Sequence, residues 1–263
     1  MAPSPRDRFI TVYGRKPVLE VLGDAALEID KVVLAENLSG ASARDIVDAA
    51  ARRNVAVVRA RADRVKLLAG NGRHDQGVLA DVVAPGMRTV SEFLQTAAHQ
   101  TPVDRHDVLL LDGITTPANV GMILRTATAS GVAGVVVPHR GVASIDPLVV
   151  KASAGIALRA PVLRSRSSSE AAAELRAAGL SLIGLAAHAE TDLFSAELPA
   201  AGVFVLGGES GGVSDAVATQ VTSWISIPMA AGVESLNVAS AAAVLCFELV
   251  RRRRLARPDP AAI

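Results

Sequence analysis

Short runs of aliphatic residues recur along the second half of the chain, and stretches with helical spacing separate them. Val108–Leu111 (VLLL), Val132–Val137, Ser181–Ala186 and Val203–Leu206 (VFVL) are almost wholly apolar rather than alternating. Strands of that kind must be covered on both faces, as in a parallel sheet flanked by helices. Helices are expected over Ala118–Ser130 and Ser168–Ala178, a further strand at Ile225–Ile227, and a closing helix over Asn237–Arg251. The first part alternates in the same way on a smaller scale. Strands are read at Ile29–Ala35, Val55–Val58 and Gly77–Val83. Helices are read at Lys16–Leu22, where Pro17 suits a first turn, at Ser42–Arg53 and at Asp63–Leu68. Ala84-Pro85-Gly86 breaks the pattern, and a helix is read at Ser91–His99. The expectation is an α/β protein: a small α/β/α domain over 1–83, a joint over 84–106 and a parallel-sheet α/β domain over 107–263.

Composition agrees with an aliphatic core. Half of the 263 residues are hydrophobic, a fifth are charged and only 3% are aromatic, which excludes global disorder and suits an aromatic-rich sandwich poorly. The single cysteine, Cys246, excludes an internal disulfide and a thiolate zinc site, and reads as a small buried hydrophobe within VASAAAVLCFEL. His74, His99, His106, His139 and His188 show no ligand spacing, so no metal is expected. No stretch approaches the about 18 apolar residues of a membrane span. The opening MAPSPRDRFI has charge but no hydrophobic signal core, so a cytoplasmic protein without a membrane segment is expected.

The net charge of +1 hides an asymmetry. Residues 1–88 carry 14 basic and 11 acidic side chains, and residues 89–263 carry 13 and 15. The basic excess is densest at Arg52, Arg53, Arg59, Arg61, Arg64 and Lys66. Such a cluster is either a grip on an RNA backbone or a solvated surface. The run Arg251–Arg254 ends the closing helix, where interaction with the helix dipole explains it better than RNA contact.

Three polar clusters follow three strands directly. In DGITTPANVGMILR (Asp112–Arg125), Asn119 is placed to cap a helix, and Gly121 permits close backbone approach. Arg125 lies six residues beyond Asn119 and so points well away from it. In LGGESGGVS (Leu206–Ser214), glycines let a ligand meet the backbone, yet the spacing fails the dinucleotide fingerprint, and Glu209 would repel a pyrophosphate. An amino-acid-bearing nucleoside suits this loop better. In IPMAAGVESLNVA (Ile227–Ala239), Ser235 can cap the last helix, and Asn237 is an unusual residue for a first turn. Ligands bind beyond the carboxyl ends of strands in open parallel sheets, so Asn119, Arg125, Glu209, Ser235 and Asn237 are the candidate site.

These clusters, in this order, resemble the three motifs of the SpoU (TrmH) family of RNA ribose 2′-O-methyltransferases. NVGMILRTA resembles motif one, VLGGESGGVS motif two and ISIPMAAGVESLNVASA motif three. VYGRKPVLEVL and HDQGVLADV resemble signatures of the family's small substrate-binding domain. The resemblance implies a SPOUT trefoil knot, a homodimer, S-adenosylmethionine as cofactor and RNA as partner, large-subunit ribosomal RNA first and transfer RNA second. It implies a cofactor cradle of Leu206, Gly207, Gly208, Ile227, Met229 and Leu236, with Arg125, Asn119, Glu209, Ser235 and Asn237 at the catalytic end. Gly208 departs from the family, where a larger polar residue is common; so does Ala239, where serine is common. A guanidinium stays protonated, so Arg125 is expected to bind phosphate and the attacking oxygen rather than act as a literal base. Two other classes stay open at this stage: a non-catalytic RNA-binding protein of ribosomal type, and a nucleotide-dependent oxidoreductase weakened by the failed fingerprint.

Overall fold

The structure, a computed structural model, describes residues 8–70, 75–97, 107–209, 211–230 and 232–256. His74, His99, His106 and the part of the joint beyond residue 97 lie outside the described residues. In the N-terminal part, β1 (Phe9–Tyr13), α1 (Arg15–Gly23), β2 (Ile29–Ala35), α2 (Ala41–Arg52), β3 (Ala56–Ala60), α3 (Ala62–Ala69) and β4 (Val78–Val83) follow in order. Their sheet runs β1-β4-β2-β3, with only the β2–β3 pair parallel. The sequence pattern does not mark β1. FITVY is brief, and its central Thr11 is polar because its hydroxyl bonds Asp81 across the sheet at 2.8 Å.

The second part contains β5 (Arg88–Thr89), α4 (Val90–Ala97), β6 (Val108–Leu111), α5 (Pro117–Ser130), β7 (Gly134–Val136), α6 (Pro147–Ala152), β8 (Val162–Arg164) and α7 (Ser168–Ala177). It continues with β9 (Ser181–Leu185), β10 (Gly202–Leu206), α8 (Asp215–Ala218), β11 (Ser223–Ile225) and α9 (Val238–Ala256). Seven parallel strands lie in the order β11-β9-β10-β6-β7-β8-β5. The wholly apolar β6 and β10 are buried along their full length near the middle, as their composition requires. After β6 the chain moves outward through β7 and β8. It then returns on the other side, and β10 inserts between β9 and β6. The crevice where direction reverses, beyond the ends of β6 and β10, is where such sheets hold ligands.

Part of the stretch read as a joint belongs to this sheet. Arg88–Thr89 pairs with β8 at its edge, and Gly86 passes so close to the Ala160 carbonyl that a Cβ would stand 2.6 Å from its oxygen. On one face of the sheet Leu109, Ile123, Phe204 and Leu245 join a core that continues through Met87 and Ala84 into the N-terminal strands. On the other face Phe93, Leu110, Leu163, Leu175 and Val205 form a second cluster. Two polar links also tie the parts together: the Tyr13 hydroxyl donates to Asp146 at 3.2 Å, and Arg159 pairs with Asp24 at 3.1 Å.

Two helix starts differ from expectation. α5 begins at Pro117, so Asn119 sits inside its first turn and does not cap it. α9 begins at Val238, one residue after Asn237, whose side-chain oxygen accepts from the Ala239 amide at 2.9 Å. Asn237 therefore caps the closing helix in the place expected of Ser235. That helix also runs on to Ala256, past Arg251, because its arginines have partners. Arg251 and Arg252 both bond the buried Glu248. Arg252 also donates to the carbonyls of Leu193 and Ala196, and Arg253 binds Asp107 and the Ser130 carbonyl. Arg252 and Arg253 thus reach beyond the helix, and Arg251 bonds within it.

Candidate active site

The three polar clusters meet through side chains. The buried Asn119 donates from Nδ2 to Glu209 Oε1 at 2.6 Å. Asn237 Nδ2 donates to Asn119 Oδ1 at 3.1 Å and to the same Glu209 oxygen at 2.9 Å. Each primary amide carries two donors and an acceptor, so a carboxylate and two amides can close a triangle of this kind. Motif one, motif two and the start of α9 are thus locked by one carboxylate oxygen.

Asp112 provides a second lock that the sequence reading missed. It is buried; its Oδ1 accepts from the Ser168 hydroxyl at 2.5 Å, and its Oδ2 accepts from the Ser214 amide at 2.7 Å. It joins the end of β6 to the start of α7 and to the far side of the glycine loop. The available signal was an acid placed immediately after four apolar residues.

The glycine loop is folded on itself. Gly208 and Gly212 exchange backbone hydrogen bonds at 3.0 and 2.9 Å, and a Cβ on Gly207 would lie 2.2 Å from the Gly212 carbonyl carbon. At Gly208, where the resemblance marks a departure, a Cβ would stand 2.4 Å from the Gly113 oxygen. The close approach of the motif-one loop explains why this chain has glycine there. Gly121 permits a close backbone approach, as expected: its missing Cβ lets α5 lie against α6 at Val149 and Ala152.

Beside this loop lies a cleft of about 640 Å3, within the usual size range of small-molecule sites. Leu206, Gly207, Gly208, Ile227, Met229 and Leu236 all line it, as do Glu209, Ser235 and Asn237. Leu185–Ala187, Val213, Trp224, Val238 and Ala241 also line it and were absent from the sequence reading. The described lining holds an acid and no Lys or Arg, so it offers nothing to a polyphosphate. Apolar walls, exposed backbone at the glycines and one carboxylate fit a nucleoside that carries positive charge.

Arg125 stands apart. It is exposed on α5, does not line the cleft, and makes no hydrogen bond or ion pair among the described residues. The helical spacing from Asn119 explains the separation: one side chain turns into the network and the other turns out.

The basic cluster of the N-terminal sheet divides in two. Arg53 donates to the carbonyls of Leu22, Asp24 and Leu27, and Arg59 to those of Ala35 and Leu38. These two guanidiniums satisfy backbone acceptors at loop ends, a structural use that the sequence does not reveal. Arg61 pairs with its neighbour Asp63 at the surface, and Arg52, Arg64 and Lys66 are exposed as well. Lys66 lines an open concavity of about 510 Å3 together with Arg15, Asn37 and Gln76. Among the described residues no group of three or more His, Cys, Asp or Glu is placed to hold a metal ion, and no helix is long and apolar enough to cross a membrane.

Comparison with known proteins adds independent findings. Residues 107–247 match the model of the SpoU rRNA Methylase family, and residues 11–88 match that of RNA 2′-O ribose methyltransferase substrate binding. The chain is 32% identical to a 23S rRNA (guanosine-2′-O-)-methyltransferase, RlmB, of Neisseria meningitidis serogroup B, over 93% of this chain and 96% of that one. It is 33% identical to an uncharacterized tRNA/rRNA methyltransferase of Mycolicibacterium vanbaalenii, over 93% and 77% of the two chains. Among solved structures, the SpoU methyltransferase AviRb from Streptomyces viridochromogenes, in complex with the cofactor AdoMet, superposes with a TM-score of 0.62. That match has 27% identity and covers 96% of this chain and 93% of the other.

Proposed function

Because the chain belongs to the SpoU rRNA Methylase family, we propose that it transfers a methyl group from S-adenosylmethionine to a ribose 2′-hydroxyl of large-subunit ribosomal RNA. The observation that carries this reading is the Asn119–Glu209–Asn237 triangle at the mouth of a glycine-lined, cation-free cleft. Bound in that cleft, S-adenosylmethionine supplies an electrophilic methyl group on a sulfonium centre. Leu206, Ile227, Met229 and Leu236 give it apolar walls, and the glycine loop at Gly207 and Gly208, which lacks side chains, lets it approach closely. Glu209 adds a negative charge that favours a sulfonium over a neutral nucleoside. Asn119 is buried and bonded to both Glu209 and Asn237, so its part is to brace them rather than to touch the ribose. Ser235 is exposed on the cleft wall and free to meet substrate.

The exposed Arg125 is the group that meets the RNA. A guanidinium remains protonated, so it holds the adjacent phosphate and the attacking oxygen and stabilises the negative charge that develops there, while that phosphate or a water accepts the hydroxyl proton. Since this arginine does not line its own chain's cleft, the enzyme acts as a homodimer, in which Arg125 of the partner subunit completes each site. Exposed Met122 on α5 and Phe247 on α9 supply apolar surface for that contact. The carboxyl-terminal part, residues 107–263, is the SPOUT trefoil-knot methyltransferase domain. Residues 1–83 are the RNA-binding domain, and 84–106 connect the two. The candidate backbone grip is Arg52, Arg53, Arg59, Arg61, Arg64 and Lys66, joined by Arg15, which lines the same concavity as Lys66, with binding that weakens steeply as salt rises. Ribosomal RNA as substrate places the work in the cytoplasm.

Arg125→Ala tests the reading. Calorimetry is expected to show cofactor affinity unchanged while methyl transfer to ribosomal RNA is lost. Mapping of ribose methylation in cells that carry only this variant is expected to show one unmodified nucleotide. Normal turnover by Arg125→Ala would remove the arginine from the mechanism.

A further inference from the structure

We propose that Trp224 is a cofactor-contacting residue whose indole forms an aromatic wall for the adenine of S-adenosylmethionine. The proposal rests on the reading of the cleft as a cofactor site. Trp224 lies on β11 and lines the cleft together with Leu185, Ala186 and Ala187 at the end of β9. It stands in register with Gly184. A Cβ at Gly184 would lie 2.4 Å from both Cε3 and Cζ3 of the indole. Any side chain there would lift the ring, so glycine lets the indole lie flat across β9 toward β10. Gly184 thus acquires a purpose that a strand glycine otherwise lacks.

Strand order decides which end of the cofactor meets the ring. The Asn119–Glu209–Asn237 triangle marks the β6–β10 side, where the methyl group must be offered to RNA. Trp224 is carried by β11, two strand spacings beyond β10, or about 10 Å. The opposite end of the ligand must therefore lie along the indole. The side chains around it (Leu185, Ala186 and Ala187) present no charged or hydrogen-bonding group. An amino-acid zwitterion finds no side-chain partner in such surroundings, whereas a purine face finds a large apolar ring. Base–aromatic stacking is sequence-tolerant, because every base has a π-face.

Trp224 is the chain's only tryptophan, so its emission reports on this wall alone. The full-length protein is titrated with S-adenosylmethionine, with adenosine and with methionine, following both fluorescence and heat. The cofactor and adenosine are expected to change the emission saturably, at the affinity that calorimetry gives, and methionine is expected to leave it unchanged. Trp224→Ala is expected to weaken cofactor binding about tenfold or more, and Trp224→Phe to stay within about threefold of the wild type. Calorimetric binding of the cofactor to the wild type with unchanged emission, or Trp224→Ala binding within about twofold, would overturn the proposal and leave the methyltransferase reading standing. A response to methionine but not adenosine would reverse the assigned orientation and overturn it equally. If Trp224→Ala fails to fold, the wild-type emission and Trp224→Phe decide. Absence of any cofactor binding to the wild type would overturn the reading of the cleft itself.

Discussion

Replacing Glu209 by alanine removes the acceptor shared by two amides. Asn119 is 4% exposed, and its Nδ2 would lose a bond of 2.6 Å, with water reaching it only through the space that Glu209 leaves. Asn237 is exposed and would recover a solvent partner for its 2.9 Å bond. Hydrogen bonds to charged groups contribute about 1.5–3 kcal/mol, and Glu209 is itself open to solvent, so the buried bond deserves the lower end. The solvent-facing bond adds less than about 1 kcal/mol. The expected loss for Glu209→Ala is about 2 kcal/mol. At about 2–4 °C per kcal/mol for a chain of this size, the thermal midpoint falls by roughly 4–8 °C. Glu209→Gln keeps an oxygen in the same place without the charge and is expected to lose about half as much. A double-mutant cycle with Asn119→Ala, followed by circular dichroism in urea, isolates the contact, with an expected coupling of about 1–2 kcal/mol. Additivity within about 0.5 kcal/mol would refute the claim that the two side chains act as one lock.

Three further outcomes are expected. Gly207→Ala places a Cβ 2.2 Å from the Gly212 backbone, so the glycine hairpin must open; cofactor binding by calorimetry should vanish while far-ultraviolet dichroism stays near wild type. Burial pushes the Cys246 thiol up to about 11, so iodoacetamide at pH 8 should label it only after denaturation. The hydrogen bonds from Arg251 and then Arg252 hold the Glu248 carboxyl below its ordinary value of 4.5, against the opposing effect of burial. Because the folded value is the lower one, this contribution is present above about pH 4.5 and disappears as the pH falls through the depressed value. Glu248→Gln should therefore flatten the acid limb of the stability profile relative to wild type.

Much of this molecule was legible wherever local chemistry matched tertiary use. VLLL and VFVL are uninterrupted apolar runs, and they became the buried central strands β6 and β10. The three strand-end clusters converge because a parallel sheet brings all carboxyl ends to one edge. What local reasoning could not see were partners far apart in sequence. Asn119 and Asn237 exchanged expected roles because the cap belongs to whichever residue precedes the helix in space, and a network 118 residues wide fixed that choice. Arg53 and Arg59 read as surface charge, since nothing in their neighbourhood reveals that remote carbonyls lack donors. Short edge strands such as Arg88–Thr89 carry too little apolar pattern to stand out. Trp224 was passed over because its meaning depends on a glycine forty residues earlier.

Asn237 has a consequence for how such a protein comes into being. It starts the closing helix and completes the triangle, while Arg252 and Arg253 fasten that helix to loops made much earlier. A growing polypeptide can therefore assemble both sheets during translation and still possess no competent cleft. Competence depends on α9 being in place, so products truncated before it are expected to fold in part and to be catalytically silent.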